Sequence, residues 1–502
     1  MRRGVDASFS ALPLDSLADA ALGRAAGLGA GHASFRLDRV RTARLLLRDG
    51  VLGGGQDATD TGLAVRLWHG GVPGFAAAPE LTARAAAGAA EQAVAVARAC
   101  SAIGGGSGEP VGEPVHHGAT WVSSYRVDPF EVPEEERIAL MADWSRRLLA
   151  APEVEHVLAF LTVVRENKFY ADLAGTVTTQ QRVRVHPLFF VQGADPRGGG
   201  TATLRTLGPP TARGWEYLAG DGWDWERELS ELPAHLAAKL RARPVRPGRY
   251  DLVIDPSNLW LTVHESVGHT TEMDRALGHE ASSTGTTFLT PEGLGSHRYG
   301  SPLMNVTADR TAEHGLATVG FDDEGVAAQS WSLVRDGVLT GFQHDRRTAG
   351  LAGLGRSNGC SFAESAMHVP LPRMPNVGLR PAPGGPSTDD LIAGIEDGIY
   401  LVGSDSWSID MRRQNFQMTA QRCHRIRNGR LEGQLSGVAY QASTTEFWSA
   451  LTALGGEDTY RLFGADLCGK GQPMQVAAAG HGCPAAVFRG IKVIDTGADG
   501  LP

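Results

Sequence analysis

The chain alternates between two hydrophobic periods. Over 10–28, Leu14, Leu17, Ala21 and Leu22 fall on one face of a 3.6-residue repeat, which predicts a helix. From 33 to 50 the pattern turns extended, and Asp49-Gly50 behind the Leu45-Leu46-Leu47 run predicts a hairpin turn. Alternation resumes over 62–68, closed by Gly70-Gly71, and the Ala-rich stretch 80–100 predicts a long helix. This block reads as an antiparallel sheet with helices packed on it.

Residues 103–114 are rich in Gly and Pro and read as a linker. Their glycines do not lie between a strand and a helix, so no phosphate-binding loop is expected. Pro133 opens a predicted helix to about 150, with acidic residues in its first turn. Strands are predicted over 157–164 and 176–191, a loop over 198–200, and a helix over 229–241 that Pro244 and Pro247 end. A boundary near 245 follows. The strand 249–255 then feeds an apolar segment through Pro256. Beyond it the pattern is mostly β. Short strands are expected over 315–321, 327–335 and 338–344, with turns at Asp323-Glu324-Gly325 and Asp336-Gly337. A helix over 389–398 precedes strands over 406–413, 417–426 and 430–438, with a turn at Asn428-Gly429, and a helix over 444–453 comes before Cys468. No internal repeat is present. Three units result: 1–102 (α+β), 115–245 (α+β) and 246–502 (β-rich).

Composition changes this picture little: 42% apolar and 21% charged residues are those of a soluble globular protein. The net charge of −9 argues against a nucleic-acid surface. Arg346-Arg347 and Arg412-Arg413 are too short for a basic stripe and are expected to be solvated. The N-terminal Met1-Arg2-Arg3-Gly4 has no apolar segment behind its charges, so no signal peptide is expected, and no apolar run is long enough to cross a bilayer. Five scattered cysteines do not suggest a disulfide framework; the expected compartment is a reducing cytoplasm, where a thiolate can serve as a ligand.

The chemistry concentrates in Leu261-Thr262-Val263-His264-Glu265-Ser266-Val267-Gly268-His269-Thr270-Thr271-Glu272. Two neutral imidazoles can hold a divalent metal, and a glutamate beside them can take a proton from metal-bound water. In the familiar H-E-x-x-H the histidines lie one helical turn apart. Here they are five residues apart, and an ideal helix would point them about 140° away from each other. They can share a metal only if the turn is widened, for example by a π-bulge, and Gly268 sits where that is easiest. A third ligand is required. The candidates are Glu272, His279, Glu280, His297, His344, Cys468 and His481. Cys468 lies among glycines that permit close approach, and Lys470 would favour its thiolate. On the residues alone a buried, inert cysteine is the commoner outcome.

These residues resemble the TldD/PmbA family of metallopeptidases. His264-Glu265-x-x-x-His269-x-x-Glu272 is similar to the family's helix motif, and Cys468-Gly469-Lys470-x-Gln472 to the motif that supplies its third ligand. Pro372-Arg373-Met374-Pro375-Asn376 and the stretch from Gly394 to Tyr400 occur in the family's order and spacing. The resemblance is strong over about 245–495. It is looser in the N-terminal block, where Leu46 to Gly50 and Gly62 to Arg66 resemble the family's first hairpin, and weak over 115–245. It implies an α+β, two-lobed zinc-type peptidase, with an N-terminal α+β lobe and a C-terminal, mainly antiparallel β lobe carrying the active site. It implies that His264, His269 and Cys468 bind the metal and that Glu265 is the general base. It also implies a dimer, either of identical chains or with a paralogue lacking the histidine motif, acting on small or unfolded peptides such as peptide-antibiotic precursors and antitoxins. The complete motif here resembles the active member. Zinc is the default for a His2Cys set with an open position, and iron also fits. Glu272, one turn beyond His269, could orient that histidine or be a helix-surface charge.

Two other readings compete. Gly355-Arg356-Ser357-Asn358-Gly359 fits G-x-S-x-G, the motif of a serine hydrolase, but the preceding 348–354 is a poor strand for a nucleophile elbow. A scaffold or regulatory subunit with a structural metal would need a fourth protein ligand, Glu272 or His481. The other histidines, such as His116, His117, His368 and His424, and the ten tryptophans read as packing or surface residues.

Overall fold

A computed structural model describes residues 4–104, 108–195, 198 and 200–497. Met1-Arg2-Arg3, part of the predicted linker (105–107) and Gly199 of the predicted loop lie outside the described residues.

The N-terminal lobe is one twisted sheet. Strands β1 (His32–Arg48), β2 (Val51–His69), β3 (Val72–Ala78), β4 (Ala119–Val122), β5 (His156–Asp172), β6 (Val177–Ala194) and β7 (Thr201–Arg205) lie in the order β3-β2-β1-β5-β6-β4, with β7 also on β6. Strand β1 pairs with β5 from Ser34 opposite Asp172 to Arg48 opposite Leu158, so hydrogen bonding runs across the predicted linker.

Side chains alternate across a strand, and β1 shows what each face does. Phe35, Leu37, Ala43, Leu45 and Leu47 share one face and are buried. Helices α1 (Leu14–Gly27) and α2 (Ala83–Ala102) cover one end of that face; α3 (Glu134–Leu149) and α4 (Trp225–Leu240) cover the other. Strand β3 meets α2 closely, since a Cβ on Gly74 would lie 2.0 Å from the Ala93 carbonyl oxygen.

The opposite face is polar and is buried against the C-terminal lobe. Lys168 Nζ meets Asp323 Oδ2 at 2.6 Å, Arg66 pairs with Glu324, and Arg182 donates to the Leu316 carbonyl at 3.0 Å. Glu166 sits between Arg182 and Arg184; burial works to raise its pKa, but the two guanidiniums outweigh it and hold the carboxyl well below its usual range.

In the C-terminal lobe, β8 (Gly248–Ile254), β10 (Asp397–Ile409), β11 (Asn415–Arg427), β12 (Val438–Ser443) and β15 (Ala486–Asp495) close into a ring. Each pairs with the next, and β15 returns to β8. Helix α5 (Pro256–Val263) leaves β8 directly, and Leu259, Leu261 and Val263 join the same core as Phe416, Met418 and Tyr440. Strand β9 (Asn376–Leu379) and the ribbon of β13 (Arg461–Lys470) and β14 (Gln475–Cys483) pack beside it. The molecule is α+β and two-lobed.

Several elements differ from the sequence expectation. Residues 315–321 form tight turns rather than a strand. The strand expected over 338–344 is Val338–Leu339 only. The helix expected over 389–398 ends at Ala393, and β10 begins at Asp397. The helix expected over 444–453 is α6 (Thr444–Ser449), followed by a strand, Leu451–Leu454. Strands β13 to β15 were not expected; their small buried residues, such as Ala477-Ala478-Ala479, carry no hydrophobic alternation.

Candidate metal centre

The site is built where α5 ends. Asp255 caps the helix by accepting from Ser257 N at 2.9 Å, and Pro256 occupies its first position, where the missing N–H costs nothing. The helix then widens. His264–Gly268 form a π-turn in which the His269 N–H donates to the His264 carbonyl, five residues back. This widening brings the two imidazoles together, with ring centroids 4.7 Å apart. Surrounding side chains satisfy the displaced carbonyls: the Tyr299 hydroxyl donates to Ser266 O, Thr271 Oγ1 to Val267 O at 2.8 Å, and Gln343 Nε2 to Gly268 O at 2.5 Å. A Cβ on Gly268 would come within 2.4 Å of Met374 Sδ, so glycine here admits the Pro372-Arg373-Met374 segment against the turn.

Cys468 reaches the same point from β13, at a bulge between Ala465 and Cys468. Its Sγ lies 3.4 Å from His269 Nε2. One ligand atom from each of His264, His269 and Cys468 lies within 4.8 Å of the others, and all three residues are buried. This is the one such group among the described residues.

Hydrogen bonds fix which nitrogens face inward. His481 Nδ1 is 3.0 Å from the Val377 carbonyl, which can only accept, so that nitrogen carries the proton. Burial, with His264 adding to it, holds His481 well below its usual pKa and therefore neutral, which leaves its Nε2 as an acceptor. His264 Nδ1, 2.7 Å away, must donate to it, and the His264 Nε2 lone pair is left free. On the other side His269 Nδ1 donates to Glu272 Oε2 at 2.9 Å, and its Nε2 faces Cys468. Glu272 is fully buried; Lys470, Arg275 and His269 outweigh the cost of burial and keep it ionised. Such partners orient a ligating histidine and raise its basicity.

The Cys468 thiol is pushed below its usual pKa. Burial opposes this, but His269 and Arg373 prevail. Burial instead pushes Cys360 and Cys423 up to about 12, so they stay thiols. The cation expected to act on Cys468 was Lys470. Lys470 in fact lies against Asp274 and Glu272, and Arg373, which donates to the Cys468 carbonyl, acts in its place.

Glu265 follows His264 into a cavity of about 510 Å³ between the lobes, walled by Leu207, Pro209, Trp260 and Phe463. Burial works to raise its pKa, but His269, His264 and Arg413 together hold it below the usual carboxylate range. Arg413 was expected to be solvated. It is instead largely buried, pairs with Glu265 and donates to the Thr284 carbonyl at 3.1 Å. No local pattern marks it, because it arrives on the turn between β10 and β11, 148 residues along the chain from Glu265.

The other candidates lie elsewhere. Ser357 is buried in a loop, its hydroxyl donating to the His344 backbone carbonyl at 3.3 Å rather than to an imidazole, and no strand–turn–helix surrounds it. Glu280 accepts from Thr284 at 2.8 Å. Neither Glu272 nor His481 joins the three inward-facing donors, since each occupies the outer nitrogen of a histidine. Replacing His481 with Ala should therefore weaken metal affinity by about 10–100-fold without abolishing binding, as loss of an orienting partner does, measured by competition with a chromophoric chelator. A complete loss would make His481 a ligand.

Comparison with known proteins bears on the family of the chain. Residues 247–495 match the model of the PmbA/TldA metallopeptidase C-terminal domain, and 33–97 match domain 1 of the same family. A metalloprotease of Methanothermobacter thermautotrophicus is 28% identical over 89% of this chain and 93% of its own length. A zinc metalloprotease TldD homolog of Saccharolobus solfataricus is 26% identical over 52% of this chain and 55% of its own. The crystal structure of TldE from Thermococcus kodakarensis superposes with a TM-score of 0.69 at 14% identity, over 94% of this chain and 98% of that one. The two domain matches together span more than half of the sequence and contain every residue of the His264–His269–Cys468 group, so the chain belongs to the PmbA/TldD family of metallopeptidases.

Proposed function

We propose that this chain is a metal-dependent peptidase that hydrolyses small or unfolded peptides in the cleft between its lobes. The observation that carries the reading is the convergence of two inward-facing imidazole nitrogens and an acidified thiol beside a carboxylate that opens into a cavity. Two nitrogens and a thiolate suit zinc, and three protein ligands leave a position open, as catalytic sites do. Held by His264, His269 and Cys468, the metal would polarise a peptide carbonyl and lower the pKa of water.

The chain's own residues do the rest. Glu265, ionised at neutral pH, takes a proton from the attacking water and passes it to the departing amide nitrogen. Arg413 positions the Glu265 carboxylate. Leu207, Trp260 and Phe463 hold side chains of an extended substrate and exclude water. A cytoplasmic location and a dimer, with an identical chain or with a paralogue lacking the histidines, complete the proposal. Among the described residues no helix is long and apolar enough to cross a membrane.

Chelation tests the reading. Removing metal should abolish cleavage of an unfolded peptide by the assembled dimer, and about one equivalent of zinc per chain should restore it. Cleavage that persists in demonstrably metal-free protein would refute the proposal.

A further inference from the structure

Beside the metal cavity lies a second one of about 680 Å³. Leu207, Ser257 and Phe463 line both, so the two adjoin and share a wall. Arg422, on β11 opposite Val402, lies in its wall and is only 8% exposed. Its Nε has no hydrogen-bond partner, and among the described residues its guanidinium forms no hydrogen bond or ion pair. The nearest acids are already engaged. Asp255 accepts from Ser257 and from the Tyr400 hydroxyl, and Glu228 accepts from Leu207 N and Trp223 Nε1. Glu231 pairs with Arg227. Burial makes a cation without a hydrogen-bond partner costly; Glu228, Asp255 and Glu231 attract Arg422 without bonding to it, and a carboxylate ligand entering the cavity would supply the missing hydrogen bonds.

We infer that Arg422 receives the C-terminal carboxylate of the peptide substrate. The inference rests on the peptidase reading and assigns a substrate class to it: short peptides with a free C-terminus, bound by their end. The distance fits. Ser257, which borders both cavities, precedes His264 by seven residues of helix, about 10 Å. An extended chain covers that in about three residues.

The test is binding, kept apart from turnover by using metal-loaded Glu265→Gln protein. An N-terminally fluorescein-labelled, alanine-rich octapeptide is titrated as the free acid, as the C-terminal amide, and as the amide with Asp in the last position. The free acid should bind at least about tenfold more tightly than the amide, and Arg422→Gln should erase that difference while leaving amide binding unchanged. Arg422→Lys should retain part of it and controls for folding. Recovery of tight, Arg422-dependent binding by the Asp-bearing amide alone would overturn the terminal assignment and make the ligand a side-chain carboxylate. Equal binding of acid and amide would overturn the inference and leave the peptidase reading intact. No binding of any of the three peptides, with metal present, would count against both.

Discussion

Glu265→Gln should lower the turnover of peptide cleavage by about 10²–10⁴-fold, the usual contribution of a positioned general base, while leaving metal content unchanged. The substitution keeps the shape of the side chain, and its amide oxygen can still accept from Arg413. What it removes is the ability to take a proton. The residue touches neither Cys468 nor the outer nitrogens of the histidines, whose partners are His481 and Glu272. Metal content by atomic spectroscopy and steady-state cleavage rates, measured on the same preparation, make the test. Undiminished turnover with metal bound would move the proton-transfer role off Glu265, and with it the main support for a catalytic rather than structural metal.

Cys468→Ser should take the purified protein from about one bound metal per chain to well below that after dialysis, with loss of cleavage in proportion. A serine hydroxyl stays protonated near neutral pH and is a poor ligand for a borderline-soft cation, whereas the Cys468 thiol is already biased toward thiolate by His269 and Arg373. The exchange is small in volume and leaves the Arg373 contact to the residue 468 carbonyl in place, so the fold should survive. Metal retained at full stoichiometry would mean that the third ligand lies elsewhere. The buried Cys360, Cys423 and Cys483, all pushed upward in pKa, are poor substitutes.

The N-terminal lobe shows where sequence reading stopped. Strand β5 reads as ending at 164 because Arg165-Glu166-Asn167-Lys168 interrupts the hydrophobic alternation. The strand continues to Asp172 because the charges on that face are buried against the other lobe, each beside a partner such as Asp323, Arg182 or Arg184. Polarity signals solvent only when no second surface supplies the counter-charges. Arg413 follows the same logic: its partner Glu265 lies 148 residues away, so composition alone assigns it to water.

Some features are local and therefore readable from the chain. The hairpin at Asp49-Gly50, the cap formed by Asp255 and Pro256, and the need to widen the turn between His264 and His269 follow from residue type and helical geometry. The histidine–glutamate pair announced metal chemistry for the same reason. Tertiary structure alone decided which nitrogen of each histidine faces inward, through Val377, His481 and Glu272. It alone closed the ring of strands that delivers Arg413, and it alone set the Arg422 cavity beside the one that Glu265 enters. The physical reason is one of range. Propensity and periodicity are written in neighbouring residues, whereas tautomers, ion pairs and cavities depend on groups brought together from distant parts of the sequence.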